Sequence, residues 1–141
     1  MPARIRCTRP RKNAMTLSLG LILLILFAHF WSDFVEQTDW MAQNKSKSNY
    51  ALWCHVGTYI LYLNMFIVIF AWFNPDTVNR KFVLEYVIVN GLLHFIVDYC
   101  TSRITSALWK MERRHEFFVM IGFDQLIHYH CLFLTAFILQ L

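Results

Sequence analysis

The sequence predicts an all-α membrane protein, a bundle of four transmembrane helices, on three observations. Hydrophobic residues make up 57% of the chain and charged residues only 16%, against roughly 45–50% and about 25% in soluble domains. The apolar residues gather in four stretches, each close to the ~20 residues that a helix needs to cross a bilayer. Charged connections separate the stretches, and Trp31, Trp40, Trp53, Trp72 and Trp109 fall near their ends, where indole rings sit in a bilayer. A soluble domain of 141 residues could not hide this much apolar surface. Strands are a poor alternative, because the alternation of a membrane barrel is absent and four strands cannot close one.

The first stretch runs from about Met15 to Gln37 and follows a basic tail, residues 1–14, that carries Arg4, Arg6, Arg9, Arg11 and Lys12. No small-residue cleavage site follows the stretch, so it is expected to be a retained signal anchor. Met15 is an alternative start that would delete the tail. A polar connection, Thr38 to Asn49, leads to the second stretch, from about Tyr50 to Phe73. Asn74-Pro75-Asp76 is a turn signal, and the third stretch runs from about Phe82 to Ile104. Ser106 to Glu116 carries Lys110, Arg113 and Arg114 and precedes the fourth stretch, from about Phe117 to Leu141. The four-helix domain is thus residues 15–141.

Orientation depends on the start. With the tail counted, Lys and Arg are balanced between the two sides. Without it, Lys45, Lys47, Arg103, Lys110, Arg113 and Arg114 outweigh Arg80 and Lys81, and the first and third connections are expected to be cytoplasmic. Nucleic-acid binding is not expected, since no basic face with interleaved aromatics lies outside the apolar stretches. The cysteines, Cys7, Cys54, Cys100 and Cys131, form no CxxC pair, which argues against a disulfide framework and a thiolate zinc site.

Polar residues interrupt the apolar stretches in a regular way. His29, Asp33 and Gln37 are each four apart. His94 and Asp98 repeat that spacing, Asp124 and His128 reverse it, and His55 lies in the second stretch. Residues i and i+4 share a helix face, and charge in a membrane span faces the bundle interior. His29-Phe30-x-x-Asp33-Phe34 also echoes His94-Phe95-x-x-Asp98-Tyr99, as a helical hairpin repeated twice would. Counted from the stretch ends, Asp33, His55, Asp98 and Asp124 all lie roughly 7–11 Å below one membrane surface at 1.5 Å per residue.

One shared site explains the common depth. Three carboxylates in low dielectric each cost several kcal/mol unless paired or protonated, and one or two divalent ions answer that cost. Carboxylate plus imidazole suits zinc, iron or manganese. The expected metal residues are His29, Asp33, His55, His94, Asp98, Asp124 and His128. Asp33, Asp98 and Asp124 are the catalytic candidates, and Arg103 and Gln37 the substrate-binding ones, with Arg103 placed to hold a phosphate. The alternatives are interhelical hydrogen bonds that join the bundle and a proton or ion path.

The combination of His29-Phe30-x-x-Asp33-Phe34-x-x-Gln37-Thr38-Asp39-Trp40-Met41, His55, His94-Phe95-x-x-Asp98-Tyr99 and Asp124-Gln125-x-x-His128 resembles the small membrane proteins grouped as domain of unknown function 3307, found in bacteria and phages. The resemblance covers the chain from about Leu21 onward and leaves out the basic tail. It implies a multi-helix membrane protein and the same site residues, and no particular chemistry.

The function expected is a metal-dependent hydrolase of the bacterial inner membrane, multi-pass, acting on a lipid or other membrane-proximal substrate. A metal-ion or proton carrier is the second expectation. It meets the difficulty that Leu17–Phe27 and Leu132–Leu139 continue no polar path. A non-catalytic regulator that binds another membrane protein is the third, and a homo-oligomer is compatible with all three.

Overall fold

The computed structural model describes residues 17–140. The basic tail, Cys7 and Met15 lie outside the described residues, as does the question of the start. Every element among the described residues is helical. Helix α1 (Leu19–Phe30) runs straight into a five-residue π-helical turn, Trp31–Val35. Short α2 (Asp39–Asn44) follows, then α3 (Asn49–Phe73), α4 (Arg80–Lys110) and α5 (Arg114–Gln140).

Local sequence sets most of these boundaries. Ser18, Thr38, Ser48 and Asn79 each precede a helix, and each side chain accepts a bond from the backbone N–H three residues on. Such caps satisfy donors that the helix cannot, at about 1 kcal/mol each. The Asn74-Pro75-Asp76 turn closes on the Asn74 carbonyl, which accepts from the N–H groups of Thr77 and Val78. Between α4 and α5 the chain reverses through Glu112, at φ 58°.

Helices α3, α4 and α5 are long and apolar enough to cross a bilayer. The first apolar segment is shorter, 12 residues of α-helix and 5 of π-helix. The helices pack as a series, α1 on α3, α3 on α4 and α4 on α5, with α1 and α5 meeting only lightly. Apolar side chains such as Leu61, Ile69, Trp72, Phe73, Leu84 and Phe118 are exposed, whereas His29, Asp33, His55, His94, Asp98 and His128 are buried. This inversion of the soluble pattern is what lipid as solvent demands.

Two layers fill the interior. Toward the α3–α4 turn, Leu21, Ile25, Leu63, Ile67, Phe82, Tyr86, Leu132 and Ala136 form an apolar core. Toward the other end the interior is polar. The two His-Phe-x-x-Asp-aromatic segments do not share a backbone form: His29–Asp33 enters the π turn, while His94–Asp98 is α-helical throughout.

Gly91 sets the closeness of α3 and α4. A Cβ built there would lie 2.5 Å from Ile60 Cδ1 and 2.7 Å from its Cγ1. Gly91→Ala is therefore expected to destabilise the protein by about 1–3 kcal/mol through overpacking. Adding Ile60→Ala should recover part of that loss, measured as thermal unfolding in detergent; additive losses would show that the contact does not set the spacing.

Candidate metal centre

Four helical segments deliver the polar layer. The π turn carries Asp33, α3 carries His55, α4 carries His94 and Asp98, and α5 carries Asp124 and His128. π-Helical turns insert a residue into the α-helical repeat and often mark functional sites. Here the turn, closed by the Glu36 N–H on the Trp31 carbonyl, holds Asp33 between α3 and α4. Ser32 and Asp33 are its buried residues.

The crowded atom is Nε2 of His55. It lies 3.1 Å from Asp33 Oδ1, 3.1 Å from Asp98 Oδ2, 3.1 Å from His94 Nε2 and 3.3 Å from Lys45 Nζ. An imidazole nitrogen carries at most one hydrogen, so it cannot make four hydrogen bonds. His94 Nε2 completes the group, 3.4 Å from Asp33 Oδ1 and 3.7 Å from Asp98 Oδ2. A cation at tetrahedral centre with bonds of about 2.0–2.1 Å would place its ligands about 3.3–3.4 Å apart. The separations found bracket that value. Asp33, His55, His94 and Asp98 are all buried, with ligand atoms within 4.8 Å of one another.

Asp98, Asp124 and His128 form a second such group. His128 Nε2 lies 3.2 Å from Asp98 Oδ1 and 3.4 Å from Asp124 Oδ1. Asp98 thus faces both groups, one oxygen to each. Its buried carboxylate is the hub.

His29 stands behind this shell. Its Nε2 is 3.0 Å from Gln125 Oε1 and its Nδ1 3.3 Å from the Tyr59 hydroxyl. Gln125 Oε1 can only accept, so in neutral His29 Nε2 donates and Nδ1 accepts from Tyr59. Both nitrogens are then occupied, and His29 is outside the ligand groups. The Gln125 amide nitrogen in turn donates to Asp33 Oδ2 at 3.1 Å and to Asp124 Oδ2 at 3.0 Å. Tyr59 also stacks on His94, centroids 3.8 Å apart and planes at 10°. That stacking orients His94, whose Nδ1, like that of His55, has no partner among the described residues.

Arg103 and Gln37 part company. Gln37 lines the cavity above the carboxylates. Arg103 turns away: it donates to the Tyr99 carbonyl at 2.7 Å and to Asn49 Oδ1 at 2.8 Å, with its guanidinium 3.7 Å over the Tyr99 ring. His115 and His130 are exposed, and His130 bonds the Leu126 carbonyl.

The cation at the site is Lys45, from the connection after α2. Its ammonium donates to Asp98 Oδ2 at 2.8 Å, with the lysine side chain 18% exposed and Asp98 2%. Burial pushes a lysine down, but the Asp98 and Asp33 carboxylates outweigh it and hold Lys45 above its ordinary range. A raised lysine contributes its stability fully below the unfolded value, about 10.4. That contribution is lost only as pH rises through the higher folded value. Nothing in the i,i+4 spacing pointed to Lys45, Gln125 or Tyr59. Gln125 was visible only as a member of the Asp124-Gln125-x-x-His128 motif.

The chain belongs to the family described as protein of unknown function (DUF3307), whose model matches residues 21–141. No curated protein and no solved structure matches it.

Lys45→Met removes the ammonium and leaves Asp98 uncompensated. It should cost about 3–5 kcal/mol in metal-free protein, the range for breaking one side of a buried pair. Added zinc should restore more thermal stability to the variant than to the wild type, because the ion replaces the missing charge. Equal zinc responses in the two proteins would show that Lys45 and the metal do not share Asp98.

Proposed function

We propose that this DUF3307 protein is a multi-pass membrane hydrolase with four transmembrane helices, built around a divalent metal ion near one bilayer surface. The ion would be held by Asp33, His55, His94 and Asp98. The observation that supports this most is the crowding of His55 Nε2 by Asp33 Oδ1, Asp98 Oδ2 and His94 Nε2, at separations suited to one central cation. Charge supports it too. Asp33, Asp98 and Asp124 carry three negative charges and Lys45 one positive, which leaves a deficit that one divalent ion balances. Zinc, iron and manganese all suit the donor set.

When bound, such an ion would supply Lewis acidity, and a water added as a fifth ligand would have its pKa lowered. The chain's own residues supply the rest. Asp124 is 15% exposed at its side chain and lines a cavity of about 630 Å³ together with Asp33 and Asp98. It is the carboxylate placed to accept a proton from an entering water, and His128 is within reach to relay it. Gln125 fixes Asp33 and Asp124 relative to each other, and His29 fixes Gln125. This is the supporting shell that a metal ligand set requires.

Hydrolysis is favoured over transport because the buried charged residues are confined to one end of the bundle. Beyond His29 and His94 the interior passes to the apolar core of Ile25, Leu63, Ile67 and Leu132. An ion crossing that layer would meet no charged side chain among the described residues.

Purified protein is expected to take up about one zinc per chain and to hydrolyse 4-methylumbelliferyl phosphate in detergent, with turnover lost to a chelator and regained with zinc. Asp124→Asn should lower turnover by about 10²–10⁴-fold and leave zinc uptake intact. His94→Ala should abolish uptake. Folded wild-type protein that takes up no zinc, iron or manganese would leave only the interhelical hydrogen-bond reading.

A further inference from the structure

The geometry points to a phosphate monoester carried on an apolar tail as the ligand of the cavity above Asp33, Asp98 and Asp124; as a substrate assignment this rests on the hydrolase reading. The cavity lies at the end of the bundle formed by the π turn, α2 and its following connection, and the α4–α5 turn. Its lining combines two chemistries: Lys47 and Lys110, and the apolar Phe34, Trp109, Phe117 and Ile121. Phe34 comes from the π turn and Phe117 and Ile121 from the start of α5; α1, which the π turn continues, meets α5 only lightly. A chain entering from the bilayer would pass between them.

Charge selects the headgroup. Once Lys45 and one divalent ion balance the three carboxylates, the ammonium groups of Lys47 and Lys110 remain. Both are exposed, and neither joins an ion pair among the described residues. Their complement is a dianion. A phosphate monoester carries about −1.5 to −2 at pH 7, whereas a zwitterionic diester headgroup has no net charge. A second observation comes from Ser102, only 9% exposed. It lines the cavity, and its hydroxyl has no partner among the described residues. A phosphoryl oxygen would accept from it. Hydrolysis of such a ligand balances simply: water oxygen bonds to phosphorus, the ester P–O bond breaks, and the departing oxygen takes a proton. The products are an alcohol that stays in the bilayer and inorganic phosphate that leaves it.

Binding to full-length protein in dodecylmaltoside micelles tests this, with dihexanoyl phosphatidic acid, dihexanoyl phosphatidylcholine and inorganic phosphate as probes. Each is titrated with zinc and with a chelator, and zinc content is measured separately. The phosphatidic acid should bind at least about tenfold more tightly than either other probe. Lys47→Ala with Lys110→Ala should weaken it about 30-fold, about fivefold for each interfacial lysine, and leave phosphatidylcholine binding unchanged. Both positions are exposed, so the double variant is expected to fold. Zinc-loaded protein that does not distinguish phosphatidic acid from phosphatidylcholine overturns this inference and leaves the metal centre standing. Inorganic phosphate binding as tightly as the amphiphile overturns it as well. Lysine-dependent selectivity for phosphatidic acid in protein that takes up no metal supports the pocket and overturns the hydrolase reading.

Discussion

Asp98 is 2% exposed, yet Lys45, His55, His94 and His128 all bring a nitrogen within 3.7 Å of it. A carboxylate taken out of water and left alone costs several kcal/mol. Inside a bundle whose outer surface is apolar, water cannot be drawn in from the sides to meet that cost. The compensation must therefore be built from neighbouring helices, and it fixes how those helices sit. The α3 helix must turn His55 inward and α5 must turn His128 inward. The connection after α2 must fold back so that Lys45 reaches the interior. Asp33 shares His55 and His94 with Asp98, so the first helix is bound to the same constraint.

That constraint also accounts for the division of the interior. Tyr59 lies at the boundary between the layers, its ring in the apolar core and its hydroxyl on His29. Below it, close packing such as Gly91 against Ile60 holds α3 and α4 together without polar help. Above it, packing yields to hydrogen bonds and to a cavity. In lipid, apolar contact between helices gains little over contact with acyl chains, so the polar layer is what makes the arrangement specific. The same layer is where chemistry becomes available, because its carboxylates line a cavity at the end of the bundle.

Much of this was legible in the sequence. The second, third and fourth apolar stretches anticipated the long helices α3, α4 and α5. The i,i+4 pairs and their common depth anticipated that Asp33, His55, His94, Asp98, Asp124 and His128 converge, because helical periodicity converts directly into facing. What escaped were contacts that periodicity does not encode. The π turn changes the repeat where Asp33 lies, and no residue type signals it. Lys45 sits in a polar connection, where a lysine is ordinarily solvated, and it enters the site only because α2 folds the connection over the bundle end. Arg103 was the nearest cation along the chain, but an i,i+4 bond to the Tyr99 carbonyl and stacking on the Tyr99 ring hold it outside. Sequence distance was a poor guide to spatial distance in the connection after α2, one of the points where the chain leaves its helices.

In the proposed centre, the nitrogens of His55 and His94 and the oxygens of Asp33 and Asp98 enclose one cation. X-ray absorption at the zinc edge, on protein loaded with one equivalent of zinc, tests it without reference to any substrate. Zinc held there should show about four or five nitrogen and oxygen neighbours at about 2.0–2.1 Å, with the outer-shell scattering of two imidazole rings. A spectrum of zinc surrounded by six oxygens, with no imidazole scattering, would contradict it.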